Sequence, residues 1–324
     1  MKRFSGRGAA VALAVALATA TTHAIAQTYP SKPVRIIVSF GTGGSVDVLA
    51  RIVGQKLGES WRQPVLIENR VGAGGNIATE IVAKAGDAHT LLFHTSAIAL
   101  NASLYPNLPF NTAKDLAPIM KVASTNGVFI VPSSLTAKSL SDVVAMARAQ
   151  PGKLSFASTG SGSSSHLFMA LFMAMAGIEV VHVPYKNISQ MYTDFIPGRT
   201  QMSISTLPSA TPYLQAGSVR ALAVTSSQRS DSLRDVPTMQ EAGFPTYEAT
   251  TWYGAFAPAG TAPAIVRRIN GEIQRILALE DVRQRFTAVG LDPAGGTPQQ
   301  FEKYFLEEIV KWGQVVKTNG LRAE

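Results

Sequence analysis

Two short segments hold the residues best suited to chemistry: Gly41-Thr42-Gly43-Gly44-Ser45, and the run from Ser158 to His166, which contains Thr159, Gly160, Gly162 and three consecutive serines. Each follows an apolar run and precedes a stretch with helical character. After the first, Val46, Leu49, Ile52, Val53 and Leu57 recur on one helical face. Backbone N–H groups in the first turn of a helix lack an intrahelical partner, and the helix dipole adds partial positive charge there. Glycine lets a ligand come close to those groups, and Ser or Thr hydroxyls add donors. Such a loop can hold an anion without Lys or Arg. Asn69 to Asn76 is a third candidate, with Gly72, Gly74 and Gly75. Each loop taken alone is as readily a tight turn as a site.

Other chemistries find less support. Neither Gly-rich loop completes G-x-G-x-x-G, and G-K-[ST] is absent, which removes the dinucleotide and P-loop patterns. No G-x-S-x-G elbow occurs. A serine hydrolase built on Ser163 to His166 is a rival reading, but a His next to its Ser at a helix start points elsewhere. His89, His94, His166 and His182 are scattered without metal-ligand spacing. The chain has no cysteine, which removes disulfides, thiol nucleophiles and Cys-based zinc sites together. No catalytic residue, metal or cofactor is expected, and Met169, Met173 and Met175 read as core filler.

The elements that must position these loops alternate. Val34 to Val38, Val65 to Glu68 and Thr90 to His94 read as strands, with helices after Ser45 and over Ile77 to Ala85. Ser45 stands where a side chain could cap the first helix. A second set begins near Gly127: strands at Val128 to Val131, Leu154 to Ala157, Val180 to Val183, Met202 to Ser205 and Ala221 to Thr225. Helices follow Ser139 and run from His166 to Ala176. Pro245 to Pro263 reads as an irregular segment rich in Pro, Gly and Thr. The last helix opens on a Thr297-Pro298-Gln299-Gln300 capping box and carries Phe301, Phe305, Ile309, Trp312 and Val316 as a core stripe. Alternating strands and helices imply α/β architecture.

The 324 residues amount to about two domains. Hydrophobic residues at 46% against 15% charged exclude a disordered chain. The net charge is +8; Lys2, Arg3 and Arg7 precede residue 27 where no acid stands, so +5 remains beyond it. The cations form no run of five and do not alternate with aromatics, so no nucleic-acid partner is expected. Those three cations, the apolar stretch Ala9 to Ala20 and the small-x-small Ala24-Ile25-Ala26 have the form of a secretory signal peptide over residues 1–26, cleaved after Ala26. It is too short and too rich in Ala and Thr for a membrane anchor. No later stretch is apolar enough to span a bilayer, so the exported chain is expected not to be membrane-embedded.

The chain resembles the Bug/TctC family, the extracytoplasmic substrate-binding receptors of tripartite tricarboxylate transporters. The resemblance rests on Tyr29 to Arg35, Gly43 to Arg51, Val65 to Arg70 with Gly72 to Asn76, and Gly162 to Leu167. Val181 to Lys186, Ala221 to Thr225, Asp235 to Thr238 and Ala257 to Thr261 complete an ordered set over nearly all of the exported chain. It implies a two-lobed, type II periplasmic-binding-protein fold. Each lobe would be a mainly parallel sheet with helices on both faces. The lobes would comprise residues 27–127 plus 250–324 and residues 128–249, with two chain crossings. It further implies a periplasmic monomer that captures a small carboxylate between the lobes for membrane permease subunits, without catalysis; a sensor kinase is the alternative partner. By position, the ligand residues would be Thr42, Gly43, Gly44, Ser45, Asp47, Thr95, Ser96, Thr159, Ser163, Ser164, Ser165 and Ser205. Three positions depart from the family pattern. Gly41-Thr42 stands for the usual Pro-Ala, Asn187 for the Gly after Tyr-Lys, and Ser205-Thr206 for an Asp-Asn pair. Without that Asp a ligand ammonium loses a partner, which favours a carboxylate lacking an amine.

Overall fold

Strand β1 (Val34–Val38) is buried along almost its whole length, as its β-branched run requires. It pairs in parallel with β2 (Val65–Asn69) and β3 (Thr90–Thr95). The computed structural model describes residues 29–247 and 249–318, so the expected leader over residues 1–26 lies outside the described residues. Helix α1 (Ser45–Trp61) joins β1 to β2, and a 3₁₀ turn (Ala73–Gly75) followed by α2 (Asn76–Ala83) joins β2 to β3. Helix α3 (Ala97–Leu104) begins directly beyond β3. Apart from α3, for which no helix was expected, these are the βα units that the hydrophobic spacing predicted.

The centre of the fold differs from that expectation. Strand β4 (Leu116–Pro132) is a single 17-residue strand with two sets of partners. Up to Asn126 it pairs antiparallel with β9 (Thr250–Pro258). From Gly127 onward it pairs antiparallel with β7 (Ser203–Thr206) and β8 (Val219–Val224). The segment read as irregular, Pro245 to Pro263, thus contains a central strand buried on both faces. Its small residues (Gly254, Ala255, Ala257) obscure a strand pattern, but they suit a strand crowded by neighbours: a Cβ on Gly254 would lie 2.5 Å from the Phe301 ring. The first sheet runs β10-β4-β9-β3-β1-β2, where β10 is Asp292–Pro293. In the second lobe β5 (Ser155–Ser158) and β6 (Val181–Pro184) are parallel, and a bridge from Phe156 to Met202 links them to β7. Both sheets are therefore mixed: the βα units are parallel, and the strands that cross between lobes run against them.

Helices α4 (Leu140–Ala149), α5 (Ser164–Ala176), α6 (Ile188–Phe195) and α7 (Leu207–Gln215) belong to the second lobe. Helices α8 (Pro263–Leu277) and α9 (Glu280–Ala288) cover the first. The last helix, α10 (Pro298–Thr318), opens as its capping box requires: Thr297 Oγ1 accepts from Gln300 N–H at 3.2 Å. Its apolar stripe is core, but of two cores. Phe301 and Phe305 pack with Trp252 and Phe256 of the first lobe, while Trp312 and Val316 pack with Phe168 and Tyr247 of the second. The helix is thus a third connection beside the two backbone crossings.

Candidate functional site

The crossing strands form the floor of a cleft between the lobes, with about 730 Å³ of empty space, part of it open to solvent. Thr251 and Tyr253 alternate onto one face of β9, and Tyr253 lies directly across from Thr95 of β3. The N-termini of α1, α5 and α7 open onto this floor, through Gly44, Ser45 and Val46, Ser164 and Ser165, and Thr206 and Ser209 respectively. Phe40, Phe168, Ile188, Met191 and Ile204 supply apolar walls. No acidic side chain lines the cleft among the described residues. Lys186 is the one cation among the described lining residues.

Hydroxyls join the lobes at two places. Ser45 Oγ is hydrogen-bonded to Thr206 Oγ1 at 2.6 Å and lies 3.4 Å from Ser209 Oγ, while Thr206 Oγ1 donates to Ser209 Oγ at 3.0 Å. Ser164 Oγ lies 3.2 Å from Ser96 Oγ and 3.5 Å from Thr95 Oγ1. Backbone meets backbone nearby. A Cβ on Gly41 would stand 3.0 Å from the Lys186 carbonyl, and one on Gly74 an equal distance from Gly162. Asn101 Nδ2 donates to the Gly74 carbonyl at 2.8 Å, and Tyr105 donates to the Ser161 carbonyl at 3.3 Å.

Of the expected residues, Gly44, Ser45, Thr95, Thr159, Ser164, Ser165 and Ser205 line the cleft together. Thr42 and Gly43 are exposed and do not line it. Asp47 is buried behind the loop, where it accepts from Gly43 N–H at 3.0 Å, Asn69 Nδ2 at 2.9 Å and Arg51 Nε at 3.0 Å. Burial opposes its ionisation, but the Arg51 guanidinium and the Gly43 and Asn69 donors together hold its carboxyl below the ordinary range. Asp47 shapes the loop rather than facing the cleft. Ser163 is the cap of α5, its Oγ accepting from His166 N–H at 3.3 Å, and Ser96 sits one layer behind Ser164.

One expected role is corrected. Ser45 does not cap α1: Gly44 is the N-cap residue and no side chain caps the helix. The Ser45 hydroxyl is directed instead across the cleft to Thr206, so no side chain caps the Ser45 and Val46 amides at the cleft, while Asp47 N–H donates to the Gly44 carbonyl at 3.0 Å. On the second lobe the loop is braced from behind. Ser165 Oγ accepts from Thr159 N–H at 3.0 Å, and His166 Nδ1 accepts from Gly162 N–H at 3.1 Å. That bond engages His166 in holding the loop. The imidazoles of His166 and His182 stack at 4.1 Å, and Ser158 Oγ is 2.6 Å from His182 Nε2.

Sequence reasoning missed Thr206, Ser209, Thr251, Tyr253 and Lys186 as lining residues. Thr206 and Ser209 begin a helix after a strand, so the loop argument could have found them. Thr251 and Tyr253 had no signal, because their strand was not recognised.

Comparison with known proteins places this geometry. The model of the "Tripartite tricarboxylate transporter family receptor" family, TctC, matches residues 49–321. Protein BugT of Bordetella pertussis is 36% identical over 317 residues, covering 97% of each chain. The R. palustris protein Rpa4515, solved with adipate, is 35% identical with a TM-score of 0.86, covering 91% of this chain and 99% of that one. MatC (Rpa3494) from Rhodopseudomonas palustris, solved with bound malate, is 29% identical with a TM-score of 0.85, covering 89% and 100%. The two-lobed α/β fold is theirs, and the chain belongs to the tripartite tricarboxylate transporter receptor family, a family of substrate-binding receptors and not of enzymes.

Proposed function

We propose that this protein captures a small carboxylate-bearing organic anion in the interlobe cleft and delivers it to the membrane permease subunits of a tripartite tricarboxylate transporter. The observation that carries this reading is the convergence of three helix N-termini and their hydroxyls on a cleft that no acid lines among the described residues. Helix N-terminal amides and hydroxyls favour an anion there, and the apolar walls suit a carbon skeleton. Adipate and malate in related proteins support the same ligand class. The ligand contacts are Gly44, Ser45, Thr95, Thr159, Ser164 and Ser165, with Thr206 and Ser209 beside them. Among the described residues no carboxylate lines the cleft, which disfavours amino acids, whose ammonium would go unpaired there.

The protein acts in the periplasm after loss of residues 1–26, as a monomer. No helix among the described residues is long and apolar enough to cross a membrane. The lobes, residues 27–127 plus 250–324 and 128–249, close over the ligand about Gly127 and Ala249. Thr225 braces both: its Oγ1 accepts from Gly127 N–H at 2.9 Å, and its carbonyl accepts from Ala249 N–H at 3.3 Å. Ligand shifts the open–closed population by its preference for the closed form. Mass spectrometry of small molecules released from the purified protein, with thermal-shift titration of organic acids, tests the reading. A released carboxylate that stabilises the protein saturably and returns unaltered is expected; turnover of the acid, or stabilisation by none, defeats it.

A further inference from the structure

Tyr253 is 1% exposed, yet among the described residues its hydroxyl has no hydrogen-bond partner. It lies on β9 at the cleft floor, opposite Thr95. A buried hydroxyl without a partner is a standing cost, and native proteins seldom leave one without a use. The neighbouring hydroxyls do not relieve it. Ser45, Thr206 and Ser209 bond among themselves in a closed set of three, with separations of 2.6, 3.0 and 3.4 Å. Ser45 and Thr206 stand near enough to the phenol to favour the phenolate, though neither meets it in hydrogen-bond geometry. Burial dominates and holds the phenol far above its ordinary pKa, so Tyr253 remains a donor at any physiological pH.

The cleft therefore has two distinct groups of oxygen donors. One gathers Thr95, Ser96 and Ser164 at the starts of α3 and α5; the other gathers Ser45, Thr206, Ser209 and Tyr253 at the starts of α1 and α7. A single carboxylate satisfies one group and leaves the other to itself. Resting on the receptor reading above, we infer that Tyr253 is a specificity-determining residue. Its hydroxyl donates to a second oxygen function of the ligand, so the cleft selects acids with two oxygen-bearing ends over monoacids of equal length. A site whose buried donor is left unpaired by the wrong ligand rejects that ligand by the desolvation penalty, which apolar contact alone does not supply.

The test uses matched pairs of equal chain length, succinate with butyrate and adipate with hexanoate, titrated calorimetrically into wild type and Tyr253→Phe. Wild type is expected to prefer the diacid in at least one pair. In Tyr253→Phe that preference should shrink by roughly ten- to a hundredfold, the value of a hydrogen bond to a charged group. The unliganded variant should melt at or above wild type, because the substitution removes an unsatisfied buried hydroxyl; this separates a specificity role from a structural one. If wild type binds these acids without preferring diacids, or Tyr253→Phe keeps the preference, the inference falls and the receptor reading stands. If wild type binds none of the four and carries no other carboxylate by mass spectrometry, the receptor reading falls and takes this inference with it.

Discussion

The hydroxyls of Ser45 and Thr206 are hydrogen-bonded at 2.6 Å, joining the first residue of α1 in one lobe to the residue preceding α7 in the other. This bond exists only when the lobes are together, so it belongs to the closed form. Because Gly44 rather than Ser45 occupies the cap position, a change at Ser45 alters the cleft and leaves the helix start as it is. Ser45→Asp introduces a negative charge where an anion would bind. At an effective dielectric of about 20, two like charges 4 Å apart repel by roughly 4 kcal/mol. Calorimetry should show no binding at micromolar ligand, with circular dichroism and melting near wild type. A folded Ser45→Asp with unchanged affinity would place the anion elsewhere.

Ser164 bridges to Ser96 and approaches Thr95 from the start of α5. A hydrogen bond to a charged group is worth ~1.5–3 kcal/mol, so Ser164→Ala should weaken ligand binding by roughly ten- to a hundredfold. Thr42→Ala, at an exposed position outside the cleft, should change affinity by less than about twofold, within the ~0.5 kcal/mol typical of such surface changes. Equal losses in the two variants would remove the distinction drawn here between lining and non-lining residues.

Closure brings the Gly41 backbone against the Lys186 carbonyl. Gly41→Leu puts a side chain into that contact and should hold the lobes ajar. If the closed population drops to about a tenth, apparent affinity falls about tenfold, because the open form binds with only part of the cage. Small-angle scattering should show a smaller ligand-induced contraction than in wild type. An unchanged contraction would mean that the lobes meet differently in solution.

Glu308 of α10 accepts through one carboxylate oxygen from two indoles, Trp252 Nε1 at 2.9 Å and Trp312 Nε1 at 3.1 Å. These tryptophans belong to the cores of different lobes. Glu308→Ala leaves both buried N–H groups unpaired, and each such loss costs ~1–3 kcal/mol. Urea unfolding should show a loss of about 2 kcal/mol or more; a change under about 0.5 kcal/mol would mean that water replaces the carboxylate.

His94 is fully buried, and burial lowers its pKa to about 4. Its Nδ1 pairs with the Thr95 carbonyl at 2.9 Å. The unfolded chain, with an ordinary imidazole near 6.5, takes a proton before the folded one does. Stability is therefore full above about pH 6.5 and falls as pH drops toward 4, by about 3 kcal/mol from this group. Urea unfolding at pH 7 and pH 4.5 should show a smaller acid loss in His94→Gln than in wild type. Equal losses would show that carboxylates alone carry the acid dependence.

The sequence alone determined the local units. β-branched runs, glycine loops and apolar residues at helical spacing made the βα units around β1, β2 and β3 legible, and the capping box marked α10, because these signals act over a few residues. They also marked the two Gly/Ser loops that reach the cleft, since a helix N-terminus after a strand carries its chemistry wherever the strand lies. Tertiary structure decided what crosses. That β4 is one strand with two sets of partners, and that Thr250 to Pro258 is a central strand, depends on pairings 73 to 164 residues apart, and a strand buried on both faces shows no alternation to read. Only the packed fold sent the Ser45 hydroxyl to Thr206, turned Asp47 away from the cleft and set the Tyr253 hydroxyl at its floor. Those outcomes depend on which side chains meet across the lobes, and no spacing along the chain encodes that.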